Sequence, residues 1–184
     1  MKSKLPSTMS ALLRVANNDM RSLDRNRYLP HSGDWHHPYF KGESRFCTVC
    51  YAGAVMAGTL NADWTQRFTP GEMTKAGIIN RNDSRKLLSI DSLRVGNVGF
   101  AAGKFFYVEP FNWEKNKKLT REIIAKLVSS EDGAFEVCDG SKTDLQLYTW
   151  SRPLACGYFK TWNDADKFLA SMDVLADDLE NVGL

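Results

Sequence analysis

The sequence predicts a mostly α-helical fold: a single compact multi-helical domain over residues 1–184, with room for one small β-hairpin. Apolar residues recur at helical spacing in several separate segments, and helix-capping residues precede most of these segments. Only one stretch has a strand-like pattern. At 184 residues, the chain is long enough for one well-cored domain or at most two small ones.

The first elements follow from local signals near the N-terminus. A helix is expected to begin near Ser7 or Thr8, because the apolar residues behind them have helical spacing. Residues 26–43 are typical of a loop, since prolines and glycines there are interspersed with aromatic residues. Ser44 is a good N-cap, so a second helix is expected to run from there to about Leu60.

Two further helices are expected in the middle of the chain. Thr69 should cap a short helix that stops at Gly77, because proline stands at its first position and glutamate at its third. The next helix should cover residues 84–95, where leucine and isoleucine face inward. Residues 97–118 suit either a buried helix or a strand.

The last third of the chain contains the strand-like stretch and the clearest helix. A helix is expected from Thr120, and residues 133–160 could form the small hairpin around an Asp-Gly turn. The final helix should run over residues 163–181 and pack one apolar stripe on the core. This stripe consists of Phe168, Leu169, Met172, Leu175, Leu179 and Val182.

Composition and charge narrow the class of protein. The formal net charge is only +2, whereas a dedicated nucleic-acid-binding protein usually carries a stronger positive charge. Nucleic acid is therefore not the expected partner. No apolar run approaches the roughly 20 residues of a membrane span, and residues 1–13 lack the hydrophobic core of a signal peptide. We therefore expect a cytoplasmic protein without a membrane partner, with its four cysteines reduced.

The predicted second helix contains glycines that need an explanation. Gly53 and Gly58 each cost about 1 kcal/mol of helix propensity relative to alanine. Their presence indicates a neighbouring element or ligand that needs the room, and close packing is the favoured explanation. The small residues that fall on or near one stripe of this helix are Cys47, Cys50, Ala54, Ala57 and Gly58.

Cys47 and Cys50 raise a first chemical hypothesis, a thiol nucleophile. Cys47 would occupy the third position of the predicted helix, where the helix dipole and unpaired amides stabilise a thiolate. The run from Cys47 to Ala52 also resembles the nucleophile helix of papain-like proteases, and that resemblance implies Cys50 as the nucleophile. The chain departs from that family, because it has no histidine after His37.

A zinc site is the second chemical hypothesis. A Cys-x-x-Cys pair supplies two thiolates for tetrahedral zinc, and two of His31, His36 and His37 would complete the ligand set. No cofactor is nevertheless expected, because such pairs usually lie on a turn and this pair is predicted to be helical. The candidate catalytic and metal-ligating residues are thus Cys47, Cys50, His36 and His37.

The third hypothesis is a binding surface in the predicted loop over residues 27–41. Aromatic and basic side chains of the kind found there are enriched in binding hot spots, and loops commonly present them. The alternative is that these aromatic side chains simply cover the core. The candidate binding residues are Tyr28, Trp35, His36, Tyr39 and Phe40.

Three parts of the chain form a recognisable combination: Cys47-x-x-Cys50-x-Ala-Gly-Ala-Val-Met-Ala57, residues 85–96, and a tail that combines residues 162–169 with residues 179–183. In these segments the chain resembles small uncharacterised proteins of tailed phages and prophages. The resemblance implies no reaction. It implies an accessory phage protein in the host cytoplasm that binds host or defence machinery.

The leading hypothesis is therefore a phage-type accessory protein that binds a host or defence macromolecule and blocks a host defence. Common catalytic motifs are missing from the sequence, so a binding protein is expected rather than an enzyme. The alternative is a thiol hydrolase, or a zinc- or small-ligand-binding protein, centred on Cys47, Cys50, His36 and His37.

Overall fold

The chain combines α-helices with a mixed β-sheet, so the prediction of a mostly α-helical fold is wrong. The computed structural model describes residues 2–95, 101, 104–106, 122 and 159–184. Within these residues it has five α-helices and one three-stranded sheet. The sheet lies where the sequence predicts a loop followed by the start of a helix.

The sheet consists of β1 (Tyr28–Pro30), β2 (His36–Lys41) and β3 (Ser44–Val49), in the order β1-β3-β2. The middle strand, β3, pairs in parallel with β1 and antiparallel with β2. A two-residue turn joins β2 to β3, and its Gly42 has a φ of +58°, a conformation that favours glycine.

The helix predicted from Ser44 begins only at Tyr51, as α2 (Tyr51–Ala57). The preceding residues contain an aromatic and two β-branched side chains, and they form β3 because they can pair with strands on both sides. Cys50 is the true N-cap, since its Sγ accepts a hydrogen bond from the backbone N–H of Gly53 at 3.3 Å. Pairing within the sheet thus overrides the capping signal of Ser44.

Helix α1 (Met9–Ser22) and the final helix α5 (Trp162–Asn181) confirm the predictions for the two ends of the chain. Thr8 and Thr161 cap them with side-chain oxygens that accept backbone N–H groups of the first turn. The two helices pack against each other, and the predicted stripe of α5 enters the core. The buried members of the stripe are Phe168, Leu169, Met172, Leu175 and Leu179.

Two shorter helices follow α2, namely α3 (Pro70–Lys75) and α4 (Arg81–Asp91). Thr69 and Glu72 form the predicted capping box at the start of α3. Helix α4 begins earlier than predicted, because Asn80 accepts a hydrogen bond from the N–H of Asp83 and acts as its N-cap. A 3₁₀ turn over Ser92–Val95 follows α4.

One buried cluster joins the helices to the inner face of the sheet. Tyr51 is one of its largest fully buried side chains, and the hydroxyl group of Tyr51 reaches the carbonyl oxygen of Leu13 at 3.1 Å and Oδ1 of Asn17 at 2.7 Å. None of the described helices is long and apolar enough to cross a membrane. The helix predicted from Thr120 and the hairpin predicted within residues 133–160 fall almost entirely outside the described residues, as do most of residues 97–118.

Candidate functional site

Side-chain alternation along the sheet separates the two candidate histidines. His36 lies opposite Val49 on the inner face, which is the face that also carries Cys47. His37 lies opposite Thr48, on the outer face. One metal ion therefore cannot take both histidines as ligands, and the described residues contain no group of three or more metal-ligating side chains.

The two cysteines have environments unlike those predicted. Cys47 is fully buried in β3, and burial raises the pKa of its thiol to about 12. It is not in the first turn of a helix, so the dipole that would have stabilised its thiolate is absent from its surroundings. Cys50 is buried as well, and its Sγ is used to cap α2.

His36 is a buried core histidine and not a solvated imidazole. Its Nδ1 donates to the carbonyl oxygen of Gln66 at 2.9 Å, whereas its Nε2 has no hydrogen-bond partner among the described atoms. The rings of Tyr28 and Phe68 flank it at centroid distances of 6.2 and 6.1 Å. Burial lowers the pKa of His36, so this ring is kept neutral.

The outer face of the sheet carries a row of stacked rings, His37, Tyr39 and Phe46, which we call the Tyr39 row. The ring centroids of His37 and Tyr39 are 4.9 Å apart, and those of Tyr39 and Phe46 are 5.3 Å apart. The ring planes differ by only 19° and 17°, so the rings cover one another's faces. Tyr39 is still 43% exposed, which leaves the ring edges open to solvent.

The other side of the hairpin carries a second cluster, the Phe40 patch, formed by Phe40, Trp64, Arg27 and Arg45. Phe40 is 55% exposed and its ring lies 6.2 Å from that of Trp64. The guanidinium group of Arg27 lies 5.2 Å from the centre of the Trp64 ring, which is a cation–π contact. Arg45 is the cross-strand neighbour of Phe40 and is exposed on the same face.

Most exposed apolar side chains of the described structure gather on this sheet. Of the four large hydrophobic residues that are exposed among the described residues, only Leu88 lies elsewhere, on α4. The other three are Leu29, Tyr39 and Phe40. An exposed aromatic cluster of this kind, flanked by arginine, has the composition of a protein interface.

The remaining predicted binding residues lie in or against the core. Tyr28 and His36 are buried, and Trp35 is half-buried, with its backbone carbonyl packed on Gly53 of α2. The sequence did not single out Phe46 or Trp64. Phe46 falls within the predicted helix from Ser44, so the sequence does not indicate that it belongs to a sheet surface. Trp64 lies next to Phe40 only in the folded structure, so no local sequence signal identifies it.

No protein-family model matches this chain, and no curated protein or solved structure matches it either. What the chain can bind must therefore be inferred from the described side chains themselves. The β2–β3 hairpin exposes Phe40 and Arg45 on one side and Tyr39 and Lys41 on the other.

Proposed function

We propose that this chain is a phage-type accessory protein that binds a host or defence protein in the host cytoplasm and thereby blocks a defence. The contact is made by the β2–β3 hairpin. The observation that carries the proposal is the concentration of exposed hydrophobic side chains on this sheet, with Phe40 the most exposed of them. Aromatic side chains beside arginine are the usual anchors of protein interfaces.

Contact through side chains fits the hairpin better than addition of a partner strand to its edge. The backbone carbonyl oxygen of His36 accepts a hydrogen bond from the N–H of Phe68 at 3.1 Å, on the edge of β2 that faces away from β3. By alternation, Pro38 also directs its backbone to this edge, where it has no N–H to donate. Proline at an edge opposes pairing with a further strand, so the exposed rings remain as the means of binding.

The alternative, a thiol hydrolase or a zinc or small-ligand site around the cysteines, has less support. A nucleophilic cysteine needs an accessible thiolate, and Cys47 is fully buried with a thiol pKa of about 12. A metal site that takes both His36 and His37 as ligands has no support, because the two side chains lie on opposite faces of β2.

The test is retention of proteins from bacterial lysate on the immobilised chain, compared between variants. Phe40→Ala removes the most exposed ring of the hairpin, and Leu88→Ala removes an exposed hydrophobic side chain of α4. Both variants should melt close to the parent protein, because exposed side chains contribute little to stability. Nuclease treatment of the lysate removes proteins that are carried along by nucleic acid.

We expect a protein that is retained by the parent chain and by Leu88→Ala, and that is lost with Phe40→Ala. Retention that survives Phe40→Ala and Tyr39→Ala alike would contradict the hairpin as the contact surface. Failure to retain any protein from a host lysate, together with turnover in a hydrolase screen, would overturn the proposed function itself.

A further inference from the structure

We infer that the Phe40 patch binds an acidic protein segment, in which carboxylate side chains contact Arg27 and Arg45 while an apolar side chain packs on Phe40. The inference rests on the proposed function and specifies the chemistry of its partner. It follows from a difference between two groups of cations on this molecule.

The first group lies along α1 and just beyond it, and all of its members are paired with acids. These pairs join Arg14 to Asp177 and Glu180, Arg21 to Asp173, and Arg25 to Asp166. The acids all belong to α5, so these arginines serve the packing of α1 against α5. Their charge is balanced within the molecule and is not offered to a partner.

The second group surrounds the hairpin and is not balanced in this way. Arg27, Lys41 and Arg45 are exposed, and none of them forms an ion pair with a carboxylate in the part of the chain that the structure describes. Asp63, the acid nearest in sequence to Trp64, accepts hydrogen bonds from Thr65 and forms no ion pair with these three cations in the described part of the chain. Cationic charge thus remains available beside the exposed rings.

The guanidinium groups of the Phe40 patch are arranged in a way that suits the binding of carboxylates. Stacking on Trp64 holds the guanidinium group of Arg27 in place, which reduces the entropy lost when it binds a partner. Arg45 stands across the strand pair from Phe40, and Arg27 lies over Trp64, whose ring neighbours that of Phe40. The patch thus combines two guanidinium groups with one exposed ring. Guanidinium groups bind carboxylates through two parallel hydrogen bonds, which gives such a contact direction as well as charge.

A protein segment fits this surface better than nucleic acid. Single strands bind by stacking bases on open aromatic faces, and the rings of the Tyr39 row cover one another. One face of Trp64 is taken by Arg27. The formal net charge of the whole chain is only +2, which is far from the basic field that nucleic-acid binding uses.

Fluorescence anisotropy with three labelled probes tests the inference on the full chain. The first probe is a short peptide in which glutamate alternates with leucine and phenylalanine. The second has glutamine in place of glutamate, and the third is oligothymidylate. The variants are Arg27→Gln with Arg45→Gln, and a control with the same change in charge at distant exposed sites, Lys75→Gln with Lys160→Gln.

We expect the glutamate peptide to bind more tightly than the glutamine peptide, with an affinity that falls as salt is added. The arginine double variant should lose at least about fivefold in affinity, and the lysine double variant should not. If the double arginine variant does not fold, the single variant Arg45→Gln and the salt titration of the parent chain test the same contact.

Equal binding of the two peptides, absence of binding by the glutamate peptide, or tighter binding of oligothymidylate would each overturn the acidic partner. These results leave the proposed function intact if Phe40→Ala still abolishes retention of a protein from lysate. Loss of that dependence on Phe40 would instead remove the proposed function, and the inference with it.

Discussion

The backbone carbonyl of Trp35 occupies the position that a side chain at Gly53 would need. A Cβ atom built on Gly53 would lie 2.7 Å from the carbonyl carbon of Trp35 and still closer to its oxygen. This contact joins the start of β2 to α2, so it fixes the base of the hairpin to the core. The structure thus confirms that the glycine makes room for a neighbouring element.

Gly53→Ala should therefore destabilise the protein strongly. The added methyl group meets backbone rather than a flexible side chain, so the sheet or α2 must move, and we expect a loss of about 3 kcal/mol or more. Gly71→Ala in α3 is the matched control, because a Cβ there has only an ordinary contact at 3.9 Å. Urea unfolding of both variants measures the difference, and equal stabilities would contradict the close approach.

Tyr51→Phe should destabilise the protein although it removes only one oxygen atom. The Tyr51 hydroxyl is buried and reaches Oδ1 of Asn17, so its removal leaves a buried acceptor without its donor, at a cost of about 1–3 kcal/mol. Tyr39→Phe makes the same chemical change on the exposed outer face and should be nearly neutral. Thermal melting of the pair provides the comparison, and matching melting temperatures would argue against the buried bond.

Stability should decrease as the pH falls below the ordinary histidine pKa of 6.5. Because burial lowers the pKa of His36, the unfolded chain takes up a proton at pH values where the folded ring stays neutral. The free energy of unfolding therefore decreases progressively as the pH falls from 6.5 to the pKa of His36 in the folded protein. Asp19 acts in the opposite direction, since burial raises its pKa.

The variant His36→Gln isolates this contribution. Glutamine can still donate a hydrogen bond to Gln66 but does not titrate, and Asp19 is unchanged in it. Urea unfolding at about pH 7.5 and about pH 5 should show a smaller pH dependence for the variant than for the parent chain. An identical pH dependence in both proteins would assign the effect to other groups.

Cys47 should resist alkylation in the folded protein. Its thiol is buried and has a pKa of about 12, so at about pH 8 almost none of it is thiolate. Peptide-resolved mass spectrometry after iodoacetamide treatment, with and without urea, measures the reactivity of each cysteine separately. Rapid labelling of Cys47 without urea would revive the thiol-nucleophile hypothesis.

The parts of the fold that the sequence predicts correctly are those with complete local signals. The capping box at Thr69 and the apolar stripe of α5 need no information from distant residues. Ser44 was misleading, because a six-residue strand that ends directly at a helix leaves little local pattern, and the decisive interactions are pairings with β1 and β2. Pro38 suggested a loop, yet proline is compatible with an edge strand.

The site could be predicted only in part for the same reason. Tyr39 and Phe40 were candidates from composition, and alternation along β2 places them on opposite sides of the hairpin. Once residues 36–41 are known to form a strand, the separation of His36 from His37 follows as well. The stacking of Arg27 on Trp64 depends on how β1 and a later loop meet, and no spacing in the sequence encodes it.

Site-specific photo-crosslinking in bacterial host cells tests the hairpin contact most directly. A photoreactive phenylalanine analogue is placed at Phe40, and in a separate chain at Leu88, which is also an exposed hydrophobic residue but lies away from the sheet. We predict a discrete crosslinked protein band with the analogue at Phe40 and none at Leu88. A band at Leu88 alone, or no difference between the two positions, would contradict binding through the β2–β3 hairpin.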